Sequence, residues 1–178
     1  MNDAPARLAA LEPRCSAEDA LALYDSLPAL TPGELRGRWR GRELATGHPW
    51  EGVLTASGWF GKQFDDDERV HPLLFTTPGG ALFPLDPRWV PLALVGRVPL
   101  AVVRVLRRAL GVVAPLVRAR RPGARLRPVS SRGVVTAAMV YDDLPIIDSF
   151  RRVDAHTVLG LMDVRGSSAP YFFLLTRP

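Results

Sequence analysis

Hydrophobic and polar positions divide the chain into a short helical stretch, a long series of strand-like runs, and an apolar basic segment set among them. Ala20, Leu23, Tyr24 and Leu27 recur at helical spacing and share one face. Ser16-Ala17-Glu18-Asp19 is a near capping box ahead of them, and Pro28, Pro32 and Gly33 follow. This pattern predicts a helix from Ser16 to about Asp25. Residues 35–44 switch to period two. Arg36, Arg38, Arg40 and Arg42 alternate with Gly37, Trp39, Gly41 and Glu43, which puts four guanidinium groups on one face of a strand and Trp39 on the other. A helix here would scatter the arginines and carry two glycines at roughly 1 kcal/mol each. Further strands are predicted at 53–64 around Trp59, at Val70 to Thr76, and at 81–83. Four more follow: Val134 to Tyr141, apolar on both faces, then Ile146 to Val153, Val158 to Val164 and Tyr171 to Thr176. Turn signals such as Asp65-Asp66-Asp67-Glu68, Pro78-Gly79-Gly80 and Asp154-Ala155-His156 separate them at about 8–12 residues, the rhythm of an antiparallel barrel or sandwich.

The segment between Pro87 and Pro128 reads differently. Pro99 to Ala114 has the composition of a helix about 24 Å long, with Pro99 in its first turn and Pro115 ending it. Arg104, Arg107 and Arg108 form a narrow basic stripe on it, and valines and leucines cover the rest. Arg118 to Arg127, with Arg120 and Arg121 among its cations, reads as a flexible cationic tail.

Charge sharpens this contrast. The formal net charge is +5, from 23 basic and 18 acidic residues, yet no acidic residue occurs between Asp86 and Asp142. That stretch holds 11 arginines, so it stands at +11 against −6 for the remaining 12 basic and 18 acidic groups. An interfacial helix would set such arginines on lipid phosphates and its valines and leucines in the acyl region. Each cation near an anionic leaflet contributes on the order of 1 kcal/mol. Arg104, Arg107, Arg108, Arg118, Arg120 and Arg121 are therefore the candidate contacts to an anionic phospholipid membrane. Two other roles stay open: capping the barrel, and packing a homodimer. Nucleic acid is disfavoured, since no Phe, Trp or Tyr lies between Trp89 and Tyr141 to supply a stacking platform.

The rest of the composition excludes more than it assigns. With 47% apolar and 23% charged residues the chain can bury a core. The single Cys15 rules out an intrachain disulfide framework and a multi-cysteine metal site. Within 89–117 the longest charge-free runs, 89–96 and 109–117, fall far below the ~20 residues of a spanning helix, and Met1 to Asp25 lacks the apolar core of a secretory signal. The expected location is cytoplasmic, peripheral to the membrane at most. His48, His71 and His156 all sit in turn-like contexts without metal-ligand spacing, so no metal ligand and no catalytic residue is assigned. A P-loop near miss ends in Gly61-Lys62, but Ala56 and Gln63 break it; Lys62 is the sole lysine beside 22 arginines. Asp142, Asp143 and Asp148 form the densest carboxylate group, expected to pair with arginines rather than to catalyse. Trp39, Trp59, Tyr141 and Phe150 are the candidates to line a ligand cavity, or else simply to fill a core.

Gly37-Arg38-Trp39-Arg40-Gly41 is a literal GXWXG motif. Together with the run from Tyr141 to Asp154 and Leu159-Gly160-Leu161-Met162-Asp163, it resembles the two-part GXWXG family with its C-terminal domain DUF4334. A looser likeness is to the calycins: lipocalins, fatty-acid-binding proteins and nitrobindin-like barrels. It implies an antiparallel β-barrel with an interior cavity, one end closed by Trp39. The nitrobindin-like members imply heme as an alternative ligand held by one histidine, without selecting which, so the cofactor is left open. The expectation is a mainly β, calycin-like single domain over residues 1–178. It comprises an N-terminal helix and linker (1–33), a first barrel half with the GXWXG strand (34–86), a basic helical insert (87–128) and C-terminal strands (129–178). Its expected function is non-catalytic binding of a lipid or other hydrophobic small molecule. The alternatives are a heme-binding or enzymatic barrel using the same cavity, and a dimeric scaffold.

Overall fold

Nine strands absorb the apolar runs of the chain, and four helices join or cover them in a computed structural model that describes residues 3–177. In chain order these are α1 (Ala4–Leu11), α2 (Ala17–Ser26), β1 (Gly37–Glu43), α3 (Val53–Ser57), β2 (Trp59–Phe64), β3 (Val70–Thr76) and β4 (Leu82–Pro84). Then come α4 (Leu100–Val117), β5 (Ala124–Ser131), β6 (Val134–Tyr141), β7 (Ile146–Arg152), β8 (Thr157–Val164) and β9 (Tyr171–Thr176). The strands form one antiparallel sheet in the order β2-β1-β9-β8-β7-β6-β5-β3-β4, and a pairing of β2 with β3 closes it into a ring. β4 lies outside that circuit. It pairs with β3 from Leu74 to Thr76, whereas β5 meets β3 only at Val70 opposite Ala124.

Two apolar cores lie on the two faces of this sheet. β9 shows how one strand serves both: Tyr171, Phe173 and Leu175 face the ring interior, and Phe172 and Leu174 face outward beneath α1 and α2. That is why 171–176 reads as an unbroken apolar run rather than an alternation. α2 begins where the near capping box predicts, with the Asp19 N–H donating to Ser16 Oγ at 3.0 Å. It buries Ala20, Leu23 and Tyr24 completely. Each large side chain so buried contributes about 1.5–3 kcal/mol.

Local structure departs from the sequence pattern at four places. α1 has no counterpart in the expectation; it starts on Pro5 in its first turn and buries only Ala4 and Leu8. Residues 53–64 are not one strand, because α3 occupies the first five. Glycines with left-handed backbone, Gly52 and Gly58, flank that short helix, and the Glu43 carboxylate accepts hydrogen bonds from the Gly52 and Thr55 N–H groups at its start. Pro115 does not end α4 but sits within its last turn, where the Gly111 carbonyl it leaves unpaired is on an exposed residue. Finally, 118–127 is no flexible tail. Arg118 bridges Leu85, β5 begins at Ala124, and Arg125 and Arg127 form ion pairs with Asp142 and Glu68 at 2.9 and 2.7 Å.

The excursion that carries α4 is tied at its base. Beside the Leu85–Arg118 bridge, the Asp86 N–H donates to the Val117 carbonyl at 2.9 Å, and the Ala119 N–H to that of Pro84 at 2.8 Å. From this stem the segment 87–123 passes over one end of the ring.

Candidate functional site

A cavity of about 430 Å³ lies inside that end of the ring, beneath α3, the segment 89–98 and α4. Its walls are chiefly aliphatic and aromatic, among them Trp59, Phe75, Leu110 and Phe173. Trp59 reaches this position because Gly41 has no side chain: a Cβ there would lie 2.2 Å from the indole. The second glycine of the motif therefore makes room for the tryptophan of the neighbouring strand. Trp39 plays another part. Its Nε1–H donates to the Leu35 carbonyl at 2.8 Å, the Arg177 guanidinium lies 4.5 Å from its ring, and it does not touch the cavity.

Three charged side chains line the cavity: Lys62, Asp148 and Arg107. Lys62 on β2 meets Asp148 on β7 at 2.9 Å, both nearly inaccessible at 3% and 1% of side-chain surface. Its Nζ also donates to the Pro72 carbonyl at 3.3 Å and to Tyr141 Oη at 3.4 Å, so all three N–H donors have acceptors. The ammonium is ringed by the faces of Phe173, Trp59 and Tyr141, at 4.9, 5.6 and 5.6 Å. Asp148 is less complete, since its Oδ1 accepts no hydrogen bond from the described residues. Burial pushes the Asp148 carboxyl up, and the Lys62 charge works against that push. Burial likewise raises the Tyr141 phenol, with the Asp148 charge adding to it. Tyr171, on the same wall, is raised by burial and by Glu43, whose carboxylate accepts its hydroxyl proton in a short hydrogen bond.

A polar cluster of this kind in an apolar cleft makes the cavity the candidate functional site. The sequence presents Asp148 only within the carboxylate group it forms with Asp142 and Asp143, and Lys62 only at the end of a broken P-loop. The signal for Lys62 is that one lysine occurs beside 22 arginines; for Asp148 it is an acid at a position that strand alternation turns inward.

Of the four residues expected to line a cavity, the structure brings Trp59 and Tyr141 to it. Phe150 packs deeper, edge-on to Phe64 and Phe173 at 6.0 Å each, and like Trp39 is fully buried in the core. Asp142 and Asp143 pair with Arg125 and Arg121 on the surface, apart from Asp148. None of His48, His71 and His156 is among the lining residues. Among the described residues no group of three or more His, Cys, Asp or Glu is arranged to hold a metal ion.

The candidate membrane arginines separate by helix face. Val103, Arg107 and Leu110 share the face of α4 turned to the cavity. Arg104 and Arg108 are exposed with Val105, Val112 and Leu116, the last three at 60%, 83% and 77%. Arg118, Arg120 and Arg121 are exposed beyond the helix. No described helix is long and apolar enough to cross a membrane.

Two family models match the chain: that of the GXWXG protein over residues 22–80, and that of the domain of unknown function DUF4334 over residues 122–177. A crystal structure of a protein from Thermomonospora curvata is 32% identical, with 99% of each chain covered and a TM-score of 0.74. Comparison with curated proteins returned no match.

Proposed function

We propose that this chain, which belongs to the GXWXG family with its C-terminal DUF4334 region, binds a lipid or another hydrophobic small molecule within a calycin-like barrel, without chemical turnover. One observation carries the reading: a cavity of about 430 Å³ with apolar walls, in the size range of small-molecule sites. The outer face of α4 supports a second element of the proposal, contact with anionic phospholipid. Val105, Val112 and Leu116 there are too exposed to serve the core, and Arg104 and Arg108 flank them. Native mass spectrometry after gentle purification tests the first element. The expected result is a co-purified hydrophobic molecule, and a clean apo mass that no added hydrophobic ligand shifts would overturn it. Vesicle co-sedimentation tests the second. Binding is expected to vesicles containing anionic lipid and to weaken as salt rises; equal binding to neutral vesicles, or self-association through this face instead, would remove the membrane.

A second reading, acid–base chemistry in the same cavity, is favoured by Asp148, a buried carboxyl with one oxygen free of partners. Its test is the fate of the co-purified molecule. Chemical change on incubation with the protein, absent with D148N, would make the cavity an active site.

A further inference from the structure

We infer that Arg107 is the headgroup anchor of this cavity, and that the ligand is a single-chain amphiphile with a carboxylate head, a fatty acid in its simplest form. The inference rests on the hydrophobic-ligand reading above and gives that ligand a charge and an orientation.

Lys62 and Asp148 cancel one another at 2.9 Å, and the three donors of Lys62 are already used, so the floor has no cation left for a ligand. Arg107 is the third charged group, and its guanidinium has neither ion pair nor hydrogen bond among the described residues. The cavity thus carries one uncompensated positive charge, held half-buried on the inner face of α4. This half-buried guanidinium, set among apolar walls, lacks an anionic partner.

The chain makes a specific place for it. Gly58, between α3 and β2, would put a Cβ 2.6 Å from Arg107 Nε and 3.1 Å from Cζ, so the guanidinium lies against bare backbone. Any side chain at 58 would push it away. An arginine fork matches the two oxygens of a carboxylate with two parallel hydrogen bonds. A phosphate dianion would bring a second charge that nothing else in the cavity balances. The remaining walls, from Phe75 and Leu110 to Phe173, suit an aliphatic chain. In this arrangement the head lies beneath α4 and the chain runs toward the neutral floor.

The test compares two probes that share a chain and differ in the head. Calorimetric titration of the full-length protein with decanoate and with decanol, at neutral pH, should show decanoate bound at least about tenfold more tightly, the worth of a charge-assisted hydrogen bond. R107Q should erase that preference while leaving decanol affinity in place, which also shows that the variant is folded. R97Q, which removes an exposed arginine of the same excursion that does not line the cavity, should keep the preference. Decanol binding as tightly as decanoate, or a preference that survives R107Q, overturns the assignment while the cavity reading stands. If neither probe binds, the cavity reading itself fails and this inference falls with it.

Discussion

α2 and α4 both lie against the sheet, and they do so by opposite means. α2 has 10 residues and sends Ala20, Leu23 and Tyr24 to complete burial over Phe172 and Leu174. α4 has 18 residues and buries none of them fully. The shorter helix fills space, whereas the longer one spans it. Since most helical stability in a folded protein comes from packing of one face, α2 is part of the scaffold, while α4 is held by a half-buried inner face on which Leu110, Ala114 and Val117 meet the interior core. The distinction follows side-chain burial, not length or hydrophobicity; by composition α4 is the more apolar of the two.

The difference can be broken most forcefully at the floor that α4 roofs. K62M should lose about 3–5 kcal/mol of unfolding free energy in denaturant titrations, because it leaves Asp148 buried without its counter-ion. K62M combined with D148L should recover most of that loss. On the other side of the sheet, L23A should cost about 2–5 kcal/mol, while V112A on the outer face of α4 should stay within about 0.5 kcal/mol. Equal costs for L23A and V112A would erase the contrast. G58A comes next, at about 1–2 kcal/mol for an L-residue held in left-handed backbone, and it should weaken decanoate binding by displacing Arg107. The smallest effect is that of pH. Burial holds His48 below its usual range, where its neutral Nδ1 accepts the Trp50 N–H at 3.0 Å. The unfolded chain therefore binds the proton more readily, and stability is lost as pH falls from about 6.5 toward the lower folded value. H48Q should flatten part of that slope, measured by thermal unfolding at stepped pH.

Legibility in the sequence follows the range of the interactions concerned. The β6, β8 and β9 runs and the turns at 65–68 and 154–156 are set by near neighbours, and their patterns read correctly. α3 does not, because its first turn depends on Glu43, nine and twelve residues before Gly52 and Thr55. The Arg118–Arg127 stretch reads as a tail because its counter-charges, Glu68 and Asp142, lie outside it. The site is split in the same way. Trp59 and Tyr141 are legible as large aromatic groups beside strand ends, but the Lys62–Asp148 pair spans 86 positions and no local spacing announces it. Arg107 belongs to a stripe that a helical projection groups with Arg104 and Arg108. Only the path of 87–123 over the ring turns it inward and leaves the others in solvent.

The stem at Leu85 and Arg118 makes the excursion that bears α4 a separable part. Its backbone hydrogen bonds close the base of the loop independently of what lies beyond. Beyond that stem the excursion also packs on the body: Val90, Leu92, Leu110 and Ala114 rest against the interior core, and Leu100 and Arg107 lie against Gly52 and Gly58 beside α3. A cover with a differently charged outer face can replace this one on the same stem provided it keeps those inward contacts. The guest is then met jointly by the aromatic walls of the ring and by the inner face of its cover, while the outer face of that cover meets solvent.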